Sequence, residues 1–320
     1  MKLALLTACC AFIAFAVVNS AVSMVVAVLW RARAASWSSR PGSWLLFLRF
    51  LPATLSTAFV ALAFIPSFLI HEPRASPEGV NLALCVAAGL GLSIVAFGAA
   101  RAISAWRETG RVVRDWRRSG RPLDLPGWHG AAYGVETPCP GVFVAGCRHP
   151  TLFLARSVEA ACTGPELAAI VAHESAHAAA HDNIKKLAIR CLPDVLSWMP
   201  AATAIERAWS EAVEDEADAA ALRSSGGDGI DLASAIVKVS RLACAPPTSL
   251  AASSLHAGGP IARRVRRLAS GGRPPARATG RQRWVPWLAL ALPGVCPLVP
   301  GLSGRLHDVT EAVVRLLTGF

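Results

Sequence analysis

The sequence predicts a mostly α membrane protein, with about four transmembrane helices and an α+β domain between the third and the fourth. Two observations carry that expectation. The 320 residues are 53% hydrophobic and only 17% charged, too apolar a mixture for an ordinary soluble domain. The excess is also localised: Leu3 to Trp30, Phe50 to Ile70, Gly79 to Ala100 and Trp284 to Gly304 contain no Asp, Glu, Lys or Arg. Each stretch is long enough to cross a hydrocarbon core of about 30 Å as a helix. The expected layout is three spans in residues 1–100, a folded domain in 101–283, and a fourth span with a short tail in 284–320. Disorder, collagen and a small disulfide scaffold are excluded by the same composition.

The first stretch follows Lys2, and Leu6-Thr7-Ala8-Cys9 looks like a lipoprotein cleavage box. The apolar run before Cys9 is too short for a signal sequence and continues for some twenty residues, so an uncleaved span is expected. In the fourth stretch Pro286, Pro293, Pro297 and Pro300 each remove a helical hydrogen bond, which predicts a broken or partly re-entrant span.

The net charge of +11 lies beside the membrane. Arg31, Arg33 and Arg40 follow the first span without an acid. Seven arginines from Arg101 to Arg121 outweigh Glu108 and Asp115 after the third, and eight from Arg263 to Arg283 precede the fourth without an acid. A nucleic-acid reader would carry its basic residues on the folded domain, so no nucleic-acid partner is expected. The pattern matches the cytoplasmic bias of positive loops, placing the domain in the cytosol of a cell (plasma or inner) membrane, with both termini outside. The nine cysteines form no C-x-x-C pair, and those in the cytosol are expected to be reduced.

Arg101 to Arg118 reads as an amphipathic Arg/Trp helix on the membrane surface or, equally, as an extension of the third span. Val142 to Ala145 and Thr151 to Ala155 read as a pair of strands around a turn. Thr163-Gly164-Pro165-Glu166 is a helix start of the capping-box type, and the helix is expected to run from Leu167 to about Leu187. A second helix spans about Ala201 to Arg223, ending at Ser224-Ser225-Gly226-Gly227. Between them Pro193 and Pro200 flank an apolar connection with Trp198, expected on the membrane side.

The chemistry is concentrated on these two helices. In His173-Glu174-Ser175-Ala176-His177 two imidazoles one turn apart can reach one zinc ion, with Glu174 beside it as a base for a metal-activated water. A third ligand is needed. The position ten residues after His173 is Asn183, and His181 has the wrong spacing. The second helix supplies Glu211, Glu214, Asp215, Glu216 and Asp218. Glu214 is assigned to the metal and Asp218, one turn further on, to orienting a ligand histidine. Asp182 is the best remaining functional candidate, while His181, His149 and His256 read as structural.

His173-Glu-Ser-Ala-His177, His181-Asp182-Asn183, the Pro193 to Pro200 connection and Glu214-x-x-x-Asp218 resemble the BlaR/MecR-type membrane zinc metallopeptidases, with Arg264-Val265-x-x-Leu268 as a weaker trace. The resemblance implies a zincin-like domain and one zinc held by His173, His177 and Glu214. Glu174 would be the base in endopeptidase cleavage of a cytosolic or membrane-associated protein. Members that sense β-lactams carry a penicillin-binding domain after the last span, where this sequence has Arg305 to Phe320. HtpX/CAAX-type processing peptidases share the two-His, one-Glu chemistry and are the second expectation. A sensor or scaffold that keeps the metal without turnover is a third reading. A transporter is disfavoured because no charged residue lies centrally in any expected span.

Overall fold

A computed structural model describes residues 2–71, 81–137, 141–147, 149–225, 229–242, 253–254, 261–271 and seven positions between 301 and 312. The expected fourth span and His256 lie outside the described residues. The chain is mostly helical, with a small sheet, and three of its helices are long and apolar enough to cross a membrane: Ala4–Trp37, Gly42–His71 and Leu82–Ser119. It divides into two compact units, one of Met1–Ala100 with Leu192–Glu206, the other of Arg101–Cys191 with Arg207–Arg277.

The first unit is built on α1 (Lys2–Trp37) and on a second span made of α2 (Gly42–Phe59), a π-helical turn (Val60–Phe64) and α3 (Ile65–His71). Pro66 lacks the N–H that the Leu62 carbonyl would take in an α-helix, and the π turn falls just before it. Hydroxyls of Thr54, Ser56 and Thr57 donate back to the carbonyls of Phe50, Pro52 and Ala53, which keeps them paired where water is scarce. The helix begins eight residues before the charge-free window and so takes in Arg49. Gly91, on the third span, sits where a Cβ would collide with the Phe12 carbonyl of α1, so these two helices approach as closely as glycine permits.

That third span belongs to α4 (Leu82–Ser119), one unbroken helix. Residues 101–118 therefore extend the span instead of forming a separate surface helix. In the second unit, β1 (Arg121–Leu123), β2 (Ala132–Val135), β3 (Val142–Ala145), β4 (Thr151–Ala155) and β5 (Ser253–Ser254) form one sheet in the order β1-β2-β4-β3-β5. β3 and β4 pair antiparallel as expected, whereas β2 runs parallel to β4. The sheet is buried on both faces. Val142, Val144, Leu152 and Leu154 pack with residues of α6 (Gly164–Ala179) and α9 (Gly229–Leu242), and Phe143 and Phe153 pack with Val113 and Trp116 at the end of α4. Two-sided burial explains why β3 and β4 are continuous apolar runs.

Short α5 (Arg156–Ala161) leads into α6, which starts with the expected capping box: the Thr163 N–H donates to Glu166 at 2.7 Å. α6 ends earlier than periodicity suggests. His181 adopts a φ of 57°, and a new helix, α7 (Asp182–Cys191), starts after it. The expected helix from Leu167 to Leu187 is thus two helices, because the turn swings Asp182 back under His177, with 2.8 Å between Oδ2 and Nδ1. α8 (Pro200–Ser225) follows a 3-10 turn (Val195–Trp198), and α10 (Ile261–Ala269) packs on α9 where Gly229 meets the Leu268 carbonyl, 2.6 Å from an ideal Cβ.

Glu166 also ties α6 to α9. Burial raises its pKa, but hydrogen bonds from Lys238, Ser234 and Thr163 outweigh that effect and hold it at about 2. The folded value lies below the ordinary 4.5, so this stabilisation is present above about pH 4.5 and is lost as pH falls towards 2. We expect Glu166→Gln to lower the unfolding free energy by about 1–3 kcal/mol at pH 7. In acid titrations followed by circular dichroism, the gap from wild type should close over that window.

Candidate metal centre

α6 is rich in alanine, and its inward face buries Ala169, Ile170, Val171, His173, Glu174 and His177. Residues four apart on a helix share a face, and the two imidazoles meet edge to face with ring centroids 4.7 Å apart. Their Nε2 atoms are 3.1 Å apart. Glu214, from α8, places Oε2 3.4 Å from the His173 Nε2 and Oε1 3.6 Å from the His177 Nε2. All three residues are buried, and one ligand atom from each lies within 4.8 Å of the others. This is a buried His-His-Glu group that could hold a metal ion. Edges of 3.1, 3.4 and 3.6 Å approximate the about 3.3 Å edge of a tetrahedron whose ligand atoms lie about 2.0–2.1 Å from its centre.

The surrounding contacts orient the rings for that task. Asp182 accepts from the His177 Nδ1 at 2.8 Å and pairs with Lys185 at 2.7 Å. Asp218 Oδ1 lies 3.0 Å from the His173 Nδ1, close in distance though off the hydrogen-bond line. With Nδ1 facing carboxylates, each ring turns its Nε2 lone pair inward. Two ring nitrogens that close are held together by a shared proton or a shared cation. Glu174 gives a second sign of an additional group: it is fully buried, and neither carboxylate oxygen has a hydrogen-bond partner among the described residues. The chain's own residues fit a metal ion on both counts.

The electrostatics run the same way. Burial works against the charged forms of both histidines, but carboxylates override it: Asp218 and Glu214 raise the pKa of His173, and Asp182 and Glu214 raise that of His177 to about 10. Burial raises Glu214, Asp218 and Asp182 too, yet cationic partners reverse this. Glu214 lies well below its usual range beside the histidines and Arg264, Asp218 is held at about 2 by His173 and Arg264, and Asp182 is lowered by His177 and Lys185. For Glu174 burial prevails: it pushes the carboxyl up, and the attraction of His177, His173 and Lys186 offsets this only in part. A proton-hungry carboxyl beside a cation-seeking triad is a suitable proton acceptor.

The sequence offers Arg264 as one of the basic residues ahead of the expected fourth span and as part of a weak family trace, and the structure adds its partners. It is buried on α10, with Nη1 2.8 Å from the Glu214 Oε2 and a fork on Asp218 at 2.7 and 3.0 Å. Arg267 reaches Asp218 at 2.9 Å and Asp215 at 2.6 Å, and Arg263 reaches Glu211 at 3.2 Å. The signal was present as spacing, since acids at 211, 214, 215 and 218 match arginines at 263, 264 and 267 as two helical stripes. Asn183 is no ligand. It donates to the Val144 carbonyl at 2.8 Å and pins α7 to the end of β3. His181 turns outward, its Nδ1 3.1 Å from the Ala178 carbonyl. His149 lines a cavity of about 550 Å³ with Arg117, Trp128 and His129, and α6 contributes Ser175, Ala178 and Ala179 to its wall, not Glu174 or the two histidines.

Neither a family model nor a curated protein matches the chain. His173→Ala or Glu214→Ala should leave the full-length protein with less than a tenth of the bound divalent metal of wild type, measured by plasma mass spectrometry. Asp182→Asn should keep the ligands but weaken metal affinity about 10–100-fold, as read by chelator competition.

Proposed function

We propose that the protein is an integral-membrane, zinc-dependent endopeptidase that hydrolyses peptide bonds of a cytosolic or membrane-associated protein. The observation that carries this reading is the convergence of His173, His177 and Glu214 next to a buried, unpartnered Glu174. Zinc is the ion whose catalytic sites combine two imidazoles with one carboxylate and leave a fourth position open. When bound, it supplies Lewis acidity for a water and for a scissile carbonyl.

The protein's own residues do the rest. Glu174 accepts the proton of the attacking water and delivers it to the departing amine, and its burial supplies the basicity for the first transfer. Asp182 and Asp218 hold the rings in register while Arg264 holds Glu214. The cavity beside α6, with Trp128, His129 and Arg117 on its wall, offers room for a substrate side chain. Three apolar helices favour a membrane setting, and the arginine bias of the loops supports a site on the cytosolic side.

A processing peptidase of the HtpX/CAAX type is the second reading. It is favoured by one observation: Leu192–Glu206, between His177 and Glu214, groups with the apolar spans.

Glu174→Gln separates catalysis from metal binding. Its metal content should match wild type, while protein fragments present in cells carrying wild type should vanish, a difference proteomics of the two strains would show. Identical fragment patterns would instead identify a metal-bearing scaffold.

A further inference from the structure

α2 begins early enough to carry an arginine into the apolar unit, and Arg49 is 1% exposed there. An ionised side chain among membrane helices is costly and is kept where it meets partners. Arg49 meets three. Its Nε donates to Glu206 at 2.6 Å, Nη1 to Asp194 at 2.7 Å and Nη2 to the Ser197 hydroxyl at 2.8 Å. Asp194 and Ser197 belong to the connection between α7 and α8, and Glu206 to α8 itself.

That connection holds only a single 3-10 turn, so much of its backbone needs other partners. α1 provides them. Asn19 donates to the Pro193 carbonyl at 3.1 Å and accepts from the Val195 N–H at 2.9 Å. Ser23 accepts from the Leu196 N–H at 3.1 Å, and Asp194 caps the turn by accepting from the Ser197 N–H at 2.7 Å. Asn19, Ser23, Arg49, Asp194 and Leu196 are all buried. A loop whose polar groups are met one by one from two spans is built to be held there.

What is held is the start of α8. Glu206 is on its second turn, and the same helix runs on without a break to Glu214, about two turns or 12 Å further. α8 buries Ala202, Ile205, Ala208, Trp209, Val213 and Ala217 along its length. Ion pairs add fixed points to that packing. Arg264 and Arg267 grip it at Glu214, Asp215 and Asp218, and Arg49 grips it at Glu206.

We infer that Arg49 is a positioning residue for the metal centre: with Asp194 it anchors the first turns of α8 and so sets where Glu214 stands relative to the two imidazoles. The inference rests on the reading of His173, His177 and Glu214 as metal ligands.

The test uses full-length protein in lipid nanodiscs, with zinc affinity measured by chelator competition and exchange of the α8 amides by hydrogen–deuterium mass spectrometry. Arg49→Met should weaken zinc binding about 10–100-fold and speed exchange across Glu206 to Glu214, with β3 and β4 unchanged. Arg49→Lys, which keeps the charge without the fork, should fall between, and Glu159→Gln, at a surface pair with Arg121, should match wild type. If Arg49→Met does not fold, Glu206→Gln and Arg49→Lys carry the same expectation in smaller steps. Folded variants with wild-type zinc affinity and wild-type exchange in α8 would overturn the inference. A wild type that binds no zinc would instead overturn the metal reading, and the exchange data would still decide whether Arg49 anchors α8.

Discussion

Four carboxylates and two imidazoles share a space from which water is excluded, and the second unit is arranged around making that tolerable. Glu174, His173, His177, Glu214, Asp218 and Asp182 are all buried, and unpaired charge in such surroundings costs several kcal/mol. Arg264 and Arg267 from one side and Lys185 from the other answer the outer carboxylates. They leave the inner edge, where two ring nitrogens and Glu214 face one another, as a group that could hold a cation. The break at His181, the placement of α10 on α9 and the capping box on Glu166 each serve that balance by fixing one of the groups taking part.

Much of the centre was legible because its logic is local. His173 and His177 announce themselves by four-residue spacing in a helical context, and Glu214 and Asp218 repeat it. The outer partners were harder to read. Asp182 was visible as a candidate, but not the helix break that brings it to His177, because a histidine at positive φ has no sequence signature beyond the contact it enables. Arg264 was hidden by its setting: arginines ahead of an apolar stretch look like insertion signals until tertiary structure sets them against acids some fifty residues upstream.

The fold divided along the same line. Long apolar stretches marked three helices able to span a membrane, and burial on two faces made β3 and β4 recognisable. β1 and β2 are short and lie among prolines and glycines, so their pairing is decided by the strands beside them. Arg49 escaped because a window drawn to exclude charge ends where the first charge begins, while the helix continues through it. Cost assigned by residue type cannot anticipate a charge that the fold neutralises.

The order in which the chain is synthesised gives α10 a particular weight. His173, His177 and Glu214 all precede it, yet the guanidinium groups that balance Glu214 and Asp218 come from Arg264 and Arg267. A nascent chain that has reached only α9 holds those carboxylates without their counter-charges. Closure of the centre therefore waits for α10, and a polypeptide that stops short of it has no fully assembled centre to expose to the cell.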